Sequence, residues 1–259
     1  SDDPYASLWP SIWSLTFRQP QLQVARSYTP LPPALTTTSN LPSSTPGSLR
    51  FLIRRELGGE VSTYLSRLPT GATIDVRGPV VEYAIPTDVS ELVFLAGGTG
   101  IAPAMQAVRA VLGEDGGDKD KKVKILWANR RRDECAGAPV STPWYAPLRF
   151  WGAPSGVDEP PSPLVEELRG LEARYAGQVE VRYFIDAEGS FIDRKGILDA
   201  VREGGEKTEG KKMIMVAGPE GFVKHYVGAR VWEGGEEKQG PLGGVVKGLG
   251  LAGWEVVKL

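Results

Sequence analysis

Apolar and polar positions change their spacing part-way along the chain. Up to about Arg55 they alternate: Trp13-Ser14-Leu15-Thr16-Phe17, Gln21-Leu22-Gln23-Val24-Ala25 and Leu49-Arg50-Phe51-Leu52-Ile53-Arg54 each read as a β-strand. Residues 31–47, rich in Pro, Ser and Thr, read as a long hairpin loop between the second and third runs. Val61, Tyr64, Leu65 and Leu68 recur at helical spacing, which predicts a short helix over residues 60–68, stopped by Pro69. Alternation returns over residues 73–77, ahead of Gly78-Pro79. Residues 1–88 are therefore expected to form a small antiparallel β domain.

Beyond Pro86 continuous apolar runs of strand length take over. Residues 92–96, 123–128, 179–185 and 213–217 read as buried strands, and residues 103–112, 163–175, 196–202 and 220–227 as helices. Strands alternating with helices imply a doubly wound parallel sheet, so residues 89–259 are expected to be an α/β domain. Two hydrophilic connectors, residues 114–122 and 203–212, read as solvated loops. Residues 136–163 mix Pro and Gly with Trp144, Tyr145, Phe150 and Trp151; these rings are expected to fold back over the sheet, with a partner or membrane surface as the alternative.

Composition narrows the chemistry. With one cysteine, Cys135, and one histidine, His225, the chain supplies no disulfide of its own, no Cys/His zinc site and no multi-histidine metal centre. Glycine (32 of 259) and proline (21) are raised enough for abundant turns without reaching disordered composition. The net charge is −2 and evenly spread, seven basic and seven acidic residues lying among residues 1–90, so nucleic acid is not an expected partner. The charge-free run over residues 92–108 carries three glycines and a proline and reads as strand, loop and helix rather than a membrane span, so no anchor is expected within this chain. It opens on Ser1 without a basic-then-apolar leader, which reads as a processed chain or one whose targeting segment has been removed.

Ala96-Gly97-Gly98-Thr99-Gly100-Ile101-Ala102-Pro103 follows an apolar strand and opens a helix. Glycines let backbone N–H groups approach a phosphate and the helix N-terminus adds partial positive charge, so the loop suits a pyrophosphate; a turn needed only for close strand–helix packing is the alternative. Gly248-Leu249-Gly250-Leu251-Ala252-Gly253 fits G-x-G-x-x-G letter for letter, but only six residues follow it and the required βαβ unit cannot exist. Arg26-Ser27-Tyr28-Thr29-Pro30 ends a strand with a guanidinium suited to phosphate, an aromatic suited to a flat ring and a hydroxyl. Gly58-Gly59-Glu60-Val61-Ser62 places a second glycine pair at a helix start. His225 reads as a surface or satisfied histidine; without G-x-S-x-G no serine hydrolase triad is indicated. Cys135, beside Arg130, Arg131, Arg132 and Asp133, reads as an incidental loop cysteine, with a lowered thiol pKa as the alternative.

Taken in order, R-x-Y-T-P, G-G-x-V-S-x-x-L, Arg77-Gly78-Pro79, G-G-T-G-I-A-P and Gly218-Pro219-Glu220-Gly221-Phe222 resemble the ferredoxin–NADP reductase superfamily, nearest its cytochrome-b5-reductase branch. Arg26 to Pro33 and the tail from Gln239 are similar to a fungal mitochondrial group of inner-membrane flavoproteins facing the intermembrane space, implicated in reducing haem for attachment to cytochrome c. The resemblance implies a two-domain, ferredoxin reductase-like fold: an antiparallel β-barrel binding FAD and an α/β domain binding NADH or NADPH. It also implies a haem or haem-protein acceptor, with cytochrome c and its haem-attachment enzyme as partners.

By resemblance, Arg26 pairs with the flavin phosphates, Tyr28 lies against the isoalloxazine and Thr29 hydrogen-bonds near its N5, which makes Tyr28 and Thr29 the residues at the reacting ring. Arg54 matches a basic residue of the next strand, while Gly59, Glu60, Val61 and Ser62 cap the pyrophosphate. Gly97, Gly98, Thr99 and Gly100 hold the nicotinamide dinucleotide, and Gly218, Pro219 and Phe222 line its nicotinamide half. Asp186 matches the acidic residue that favours NADH. Three departures stand out: Ala217 replaces the cysteine usual before Gly-Pro; only 25 residues precede Arg26, so a barrel strand or two is missing or unrecognisable; and Arg130, Arg131 and Arg132 offer guanidinium groups to the 2′-phosphate of NADPH. Two other readings compete, an assembly factor that keeps the reductase fold but acts by protein binding, and a general cytochrome-b5-type reductase.

Overall fold

The structure, a computed structural model, describes residues 3–34, 47–114, 116–139, 160–203 and 209–259. Trp144, Tyr145, Phe150 and Trp151 lie outside these residues, as do the middles of the loops at 31–47 and 203–212.

The alternating half forms antiparallel ladders. Strand β1 (Ser11–Gln19) is central, flanked by β2 (Val24–Tyr28) and β5 (Val76–Ala84), while β3 (Pro30–Leu31) and β4 (Arg50–Phe51) make a separate two-stranded ladder. Helix α1 (Glu60–Ser66) closes one side, burying Val61 with Trp9, Trp13, Leu15 and Phe17. The Trp13 ring stacks on Tyr5 at 5.5 Å and takes the edge of Trp9 at 5.2 Å.

Several elements differ from the sequence pattern. Alternation over residues 21–25 implies a strand there, yet β2 begins at Val24: residues 20–23 form a turn in which Gln23 has φ 58 and Gln19 Oε1 accepts from Leu22 N. Arg26 consequently sits inside the strand, opposite Phe17. The run at 49–54 pairs only over Arg50 and Phe51. Strand β5 starts three residues later than the alternation at 73–77 and continues through Gly78-Pro79, tolerable because it is an edge strand where a missing N–H breaks little. One strand, β1, does precede Arg26.

The second half is a five-stranded, all-parallel sheet in the order β12-β9-β6-β7-β8, from β6 (Val89–Gly97), β7 (Lys122–Asn129), β8 (Val179–Ile185), β9 (Lys211–Ala217) and β12 (Trp254–Lys258). Being buried on both faces explains its continuous apolar strands. Phe94, Ile125, Val181 and Met215 face α2 (Ile101–Leu112) and α3 (Pro163–Arg174); Leu95, Leu126, Phe184 and Ile214 face α4 (Arg194–Arg202) and α5 (Glu220–Val227). Side-chain caps fix two helix starts: Ser162 accepts from Val165 N, and Asp193 from Gly196 N at 2.7 Å, so α4 begins at Arg194 rather than at Gly196. The tail adds the hairpin β10 (Val231–Glu233)–β11 (Glu236–Lys238), α6 (Gly244–Lys247) and β12, none anticipated from the pattern. The motif at residues 248–253 follows a helix and precedes a strand, the reverse of a dinucleotide fingerprint.

Helix α2 lies between the parallel sheet and β1, and is buried nearly all round. Its fully buried Gln106 ties the halves together: Oε1 accepts the Trp13 backbone N–H at 2.9 Å, and Nε2 donates to the Pro30 carbonyl at 2.9 Å. Gln106→Ala leaves a buried donor and acceptor without partners, so urea denaturation is expected to show a loss of about 3 kcal/mol.

Candidate functional site

In the parallel sheet the chain runs from β6 through β7 to β8 on one side and returns as β9 on the other, so the strand order reverses between β6 and β9. At such a point connections diverge and leave a crevice beyond the carboxyl ends of the strands. Loop 97–100 stands there, against the end of β9. A Cβ on Gly100 would lie 2.2 Å from the Ala217 carbonyl oxygen, and one on Gly97 would lie 2.8 Å from Phe222 Cγ. Gly98 has φ 53, a conformation glycine adopts without the Cβ clash. Packing therefore accounts for Gly97 and Gly100, while Thr99 stays exposed at the tip.

Two cavities meet at Thr99. One, of about 440 Å³, is lined by Ser14, Tyr28, Thr29, Glu82, Ala217 and Gly218 among others. The other, of about 400 Å³, is lined by Arg26, Arg54, Gly58, Gly59, Glu60 and Ser62 among others. Ser27, Tyr28 and Thr99 line both. The structure thus brings Arg26, Tyr28 and Thr29 to the two anion-suited loops. Tyr28 is braced edge-on by Phe17 at 5.5 Å, and burial pushes its hydroxyl pKa up against the opposing pull of Arg26. Exposed Arg26 donates only to its neighbour Ala25 O among the described residues, leaving guanidinium N–H groups for a phosphate. Glu60, Val61 and Ser62 precede the first helical bond of α1, from Thr63 N to Gly59 O, so their N–H groups point out of the helix start. Arg26 and the start of α1 could hold a pyrophosphate, and Tyr28 and Thr29 could lie against a flat ring, so these residues fit an extended dinucleotide such as FAD.

Other expected residues have different surroundings. Ser62 turns its hydroxyl into the loop, accepting from Glu56 N at 3.1 Å and donating to Gly59 O at 3.2 Å, so it shapes the loop. Arg54 pairs with Glu134 at 2.8 Å and lies over Gly98, joining the two anion-suited loops. Phe222 packs under Gly97 and beside Tyr226 rather than on the cleft wall, and Pro219 is the residue before α5; of the Gly-Pro motif only Gly218, Glu220 and the following Val223 and Lys224 line the larger cavity.

Asp186 stands just beyond β8. Burial pushes its pKa up, Arg130 pulls it down, and Glu134 adds a smaller upward push. The arginine run is mostly committed: Arg132 forms a two-point pair with Glu188 at 2.8 and 2.5 Å and Arg131 pairs with Asp133 at 3.1 Å, leaving Arg130 beside Asp186. Cys135 is fully buried, and burial lifts its pKa to about 11 against Arg132's pull, so the lowered-pKa alternative fails. At neutral pH the thiol is expected to be inert to Ellman's reagent in the folded protein and to react once denatured. His225 is exposed on α5 with its ring edge-on to Tyr226.

Sequence reasoning missed part of the cleft wall. Ser14 donates to Glu82 Oε1 at 2.6 Å across β1 and β5, and Ala229, Arg230, Glu237 and Leu259 close the opposite side. The Ser14–Glu82 pair was visible only through strand pairing, and the tail residues carry no local motif.

Residues 13–85 match the oxidoreductase FAD-binding domain, and residues 94–139 the oxidoreductase NAD-binding domain. The chain is 24% identical over 239 residues to NADH-cytochrome b5 reductase 2 of Kluyveromyces lactis, covering 91% of this chain and 67% of that protein. For the corresponding protein of Lodderomyces elongisporus the values are 26%, 82% and 62%, so the chain spans about two thirds of these relatives' length. Over 88 residues it is 38% identical to a cytochrome c mitochondrial import factor of Saccharomyces cerevisiae, covering 32% of this chain and 24% of that one. The fold is shared with the CS-b5R domains of human Ncb5or (TM-score 0.55, 17% identity, 83% of this chain and 54% of that one) and with a Plasmodium falciparum ferredoxin-NADP+ reductase (0.55, 13%, 96% and 82%).

Proposed function

Because the chain is built from the FAD-binding and NAD-binding oxidoreductase domains of the ferredoxin reductase family, we propose that it passes electrons from NADH through FAD to a one-electron haem acceptor. The observation that supports this reading is that the two cavities share Ser27, Tyr28 and Thr99, so one continuous cleft has room for a flavin with a nicotinamide beside it. Residues 1–88 hold the flavin in this reading and residues 89–259 the nicotinamide dinucleotide. FAD, when bound, supplies a hydride-accepting N5 and the capacity to release electrons one at a time. Arg26, Gly59, Glu60 and Val61 hold its pyrophosphate, Arg54 adds positive charge, and Tyr28 and Thr29 orient the ring. Loop 97–100 and Gly218 position the donor, and no side-chain acid or base is required for hydride passage.

The finer reading is haem reduction during cytochrome c maturation at the mitochondrial inner membrane, on the intermembrane-space side. It is supported by the likeness to the yeast import factor and by RSYTPLPP at residues 26–33. Purified protein is expected to be yellow and to bleach on anaerobic addition of NADH. Stopped-flow mixing of the reduced protein with haemin, cytochrome b5 and cytochrome c then ranks the acceptors. Rapid transfer to cytochrome b5 with none to haemin favours a general reductase, while a protein that NADH does not bleach favours the assembly-factor reading, to which Ala217 at the cleft wall lends support.

Nucleotide choice follows from Asp186. Its carboxylate accepts from a ribose 2′-hydroxyl but repels a 2′-phosphate, and Arg130 offsets only part of that repulsion. NADH is expected to be preferred about tenfold in kcat/KM. The preference should shrink as pH falls, because protonation removes the repulsion, and disappear in Asp186→Ala; a clear NADPH preference of the unmodified protein overturns the assignment.

A further inference from the structure

We propose that the β10–β11 hairpin is a docking platform for a flat aromatic small-molecule electron acceptor, with Trp232 as its contact surface; this rests on the flavin reading above. The hairpin stands at the cleft mouth, where Ala229, Arg230 and Glu237 line the larger cavity. Trp232 is directly opposite Glu237, and residues opposite one another in an antiparallel pair share a face. Arg230 lies two positions before Trp232 and is paired with Glu237 at 2.7 Å, which fixes that face as the one turned to the cleft. Trp232 is therefore the next step outward from the cavity wall, and it is 75% exposed.

Among the exposed large apolar side chains of the described residues Trp232 is the one tryptophan, and the flat face of an indole offers a stacking surface to another ring. The platform is held firmly from below: buried Lys258 donates through Nζ to Ala229 O at 2.9 Å and Pro241 O at 2.8 Å, and the Gln239 amide exchanges hydrogen bonds with the Lys258 backbone. At the tip, where Gly234 and Gly235 both have positive φ, a Cβ added to either would meet nothing within 4 Å, so the space around the turn is open. On the indole's face Arg230 and Glu237 neutralise each other, which suits an uncharged planar acceptor such as a quinone rather than a highly charged partner. Electrons balance as NADH + 2 A → NAD+ + H+ + 2 A−, each acceptor A taking one electron.

Menadione, a flat quinone, and ferricyanide, which has no ring face, are the two probes. Flavin content and anaerobic bleaching by NADH are measured first. Trp232→Ala is expected to lower kcat/KM for menadione about tenfold through KM, with ferricyanide turnover and bleaching by NADH unchanged, and Trp232→Phe is expected to recover most of the loss. In the oxidised protein without NADH, menadione should quench tryptophan emission saturably, and less so in Trp232→Phe. Equal loss with both acceptors, altered bleaching by NADH, or no effect of Trp232→Ala overturns the proposal. Absence of flavin or of bleaching in the unmodified protein defeats the flavin reading instead, and the quenching comparison still decides the docking site.

Discussion

Gly100→Ala is expected to slow reduction of the bound flavin by NADH at least a hundredfold while leaving the flavin in place. The added methyl would stand 2.2 Å from the Ala217 oxygen and 2.7 Å from its carbonyl carbon, both backbone atoms that yield only if the ends of β6 and β9 part. Forcing them apart costs about 3 kcal/mol, the top of the usual range for overpacking. Displacement of loop 97–100 follows, at the point where the donor is to be positioned. Gly98→Ala makes a graded comparison: its Cβ would meet the movable end of Arg54 at 3.1 Å, and the positive φ adds only modest strain, about 1 kcal/mol. Stopped-flow bleaching with NADH should rank unmodified protein, Gly98→Ala and Gly100→Ala in falling order. Wild-type bleaching by a well-folded Gly100→Ala protein would show that the loop does not position the donor.

Arg26→Ala should lose flavin during purification. The guanidinium is exposed and, among the described residues, donates only to its neighbour's carbonyl, so its removal is expected to leave the fold intact. A two-point, charge-assisted phosphate contact is worth about 1.5–3 kcal/mol, which weakens FAD binding roughly ten- to a hundredfold. The flavin-to-protein absorbance ratio after gel filtration, alongside an unchanged circular dichroism spectrum, tests this. Full flavin occupancy in the variant would remove Arg26 from the pyrophosphate site.

The parallel sheet was legible in the sequence because burial on both faces leaves uninterrupted apolar runs; residues 179–185 and 220–227 coincide with β8 and α5. Strand β12 escaped because Lys258 is buried inside it with its ammonium satisfied by carbonyls, so a polar letter stands where the pattern demands an apolar one. The antiparallel half was less legible. Two of its strands, β3 and β4, are only two residues long, and the Gln19 side chain shapes the turn that displaces β2, an interaction invisible to periodicity. For the site, the glycine loop at 97–100 was legible because close backbone approach, as at Gly100 against Ala217, demands glycine, and R-x-Y-T-P because its residues follow one another along the cleft wall. The other cleft wall, Ala229, Arg230, Glu237 and Leu259, arrives from the tail through long-range contacts, β12 lying beside β9 and its Lys258 holding Ala229 O.

The amide of Gln106 has a consequence for how the molecule works and how it varies. Its two bonds end on main-chain atoms, the Trp13 N–H and the Pro30 carbonyl, so the docking of one half on the other survives side-chain change at both positions and tracks only the path of the chain. Such a cross-brace, reinforced by the Arg50–Glu167 ion pair between β4 and α3, opposes hinge opening between the halves. With the halves so braced, a nucleotide bound in this cleft is expected to leave by sliding past its rim, where Glu220, Lys224 and the hairpin stand, rather than by a swing of domains.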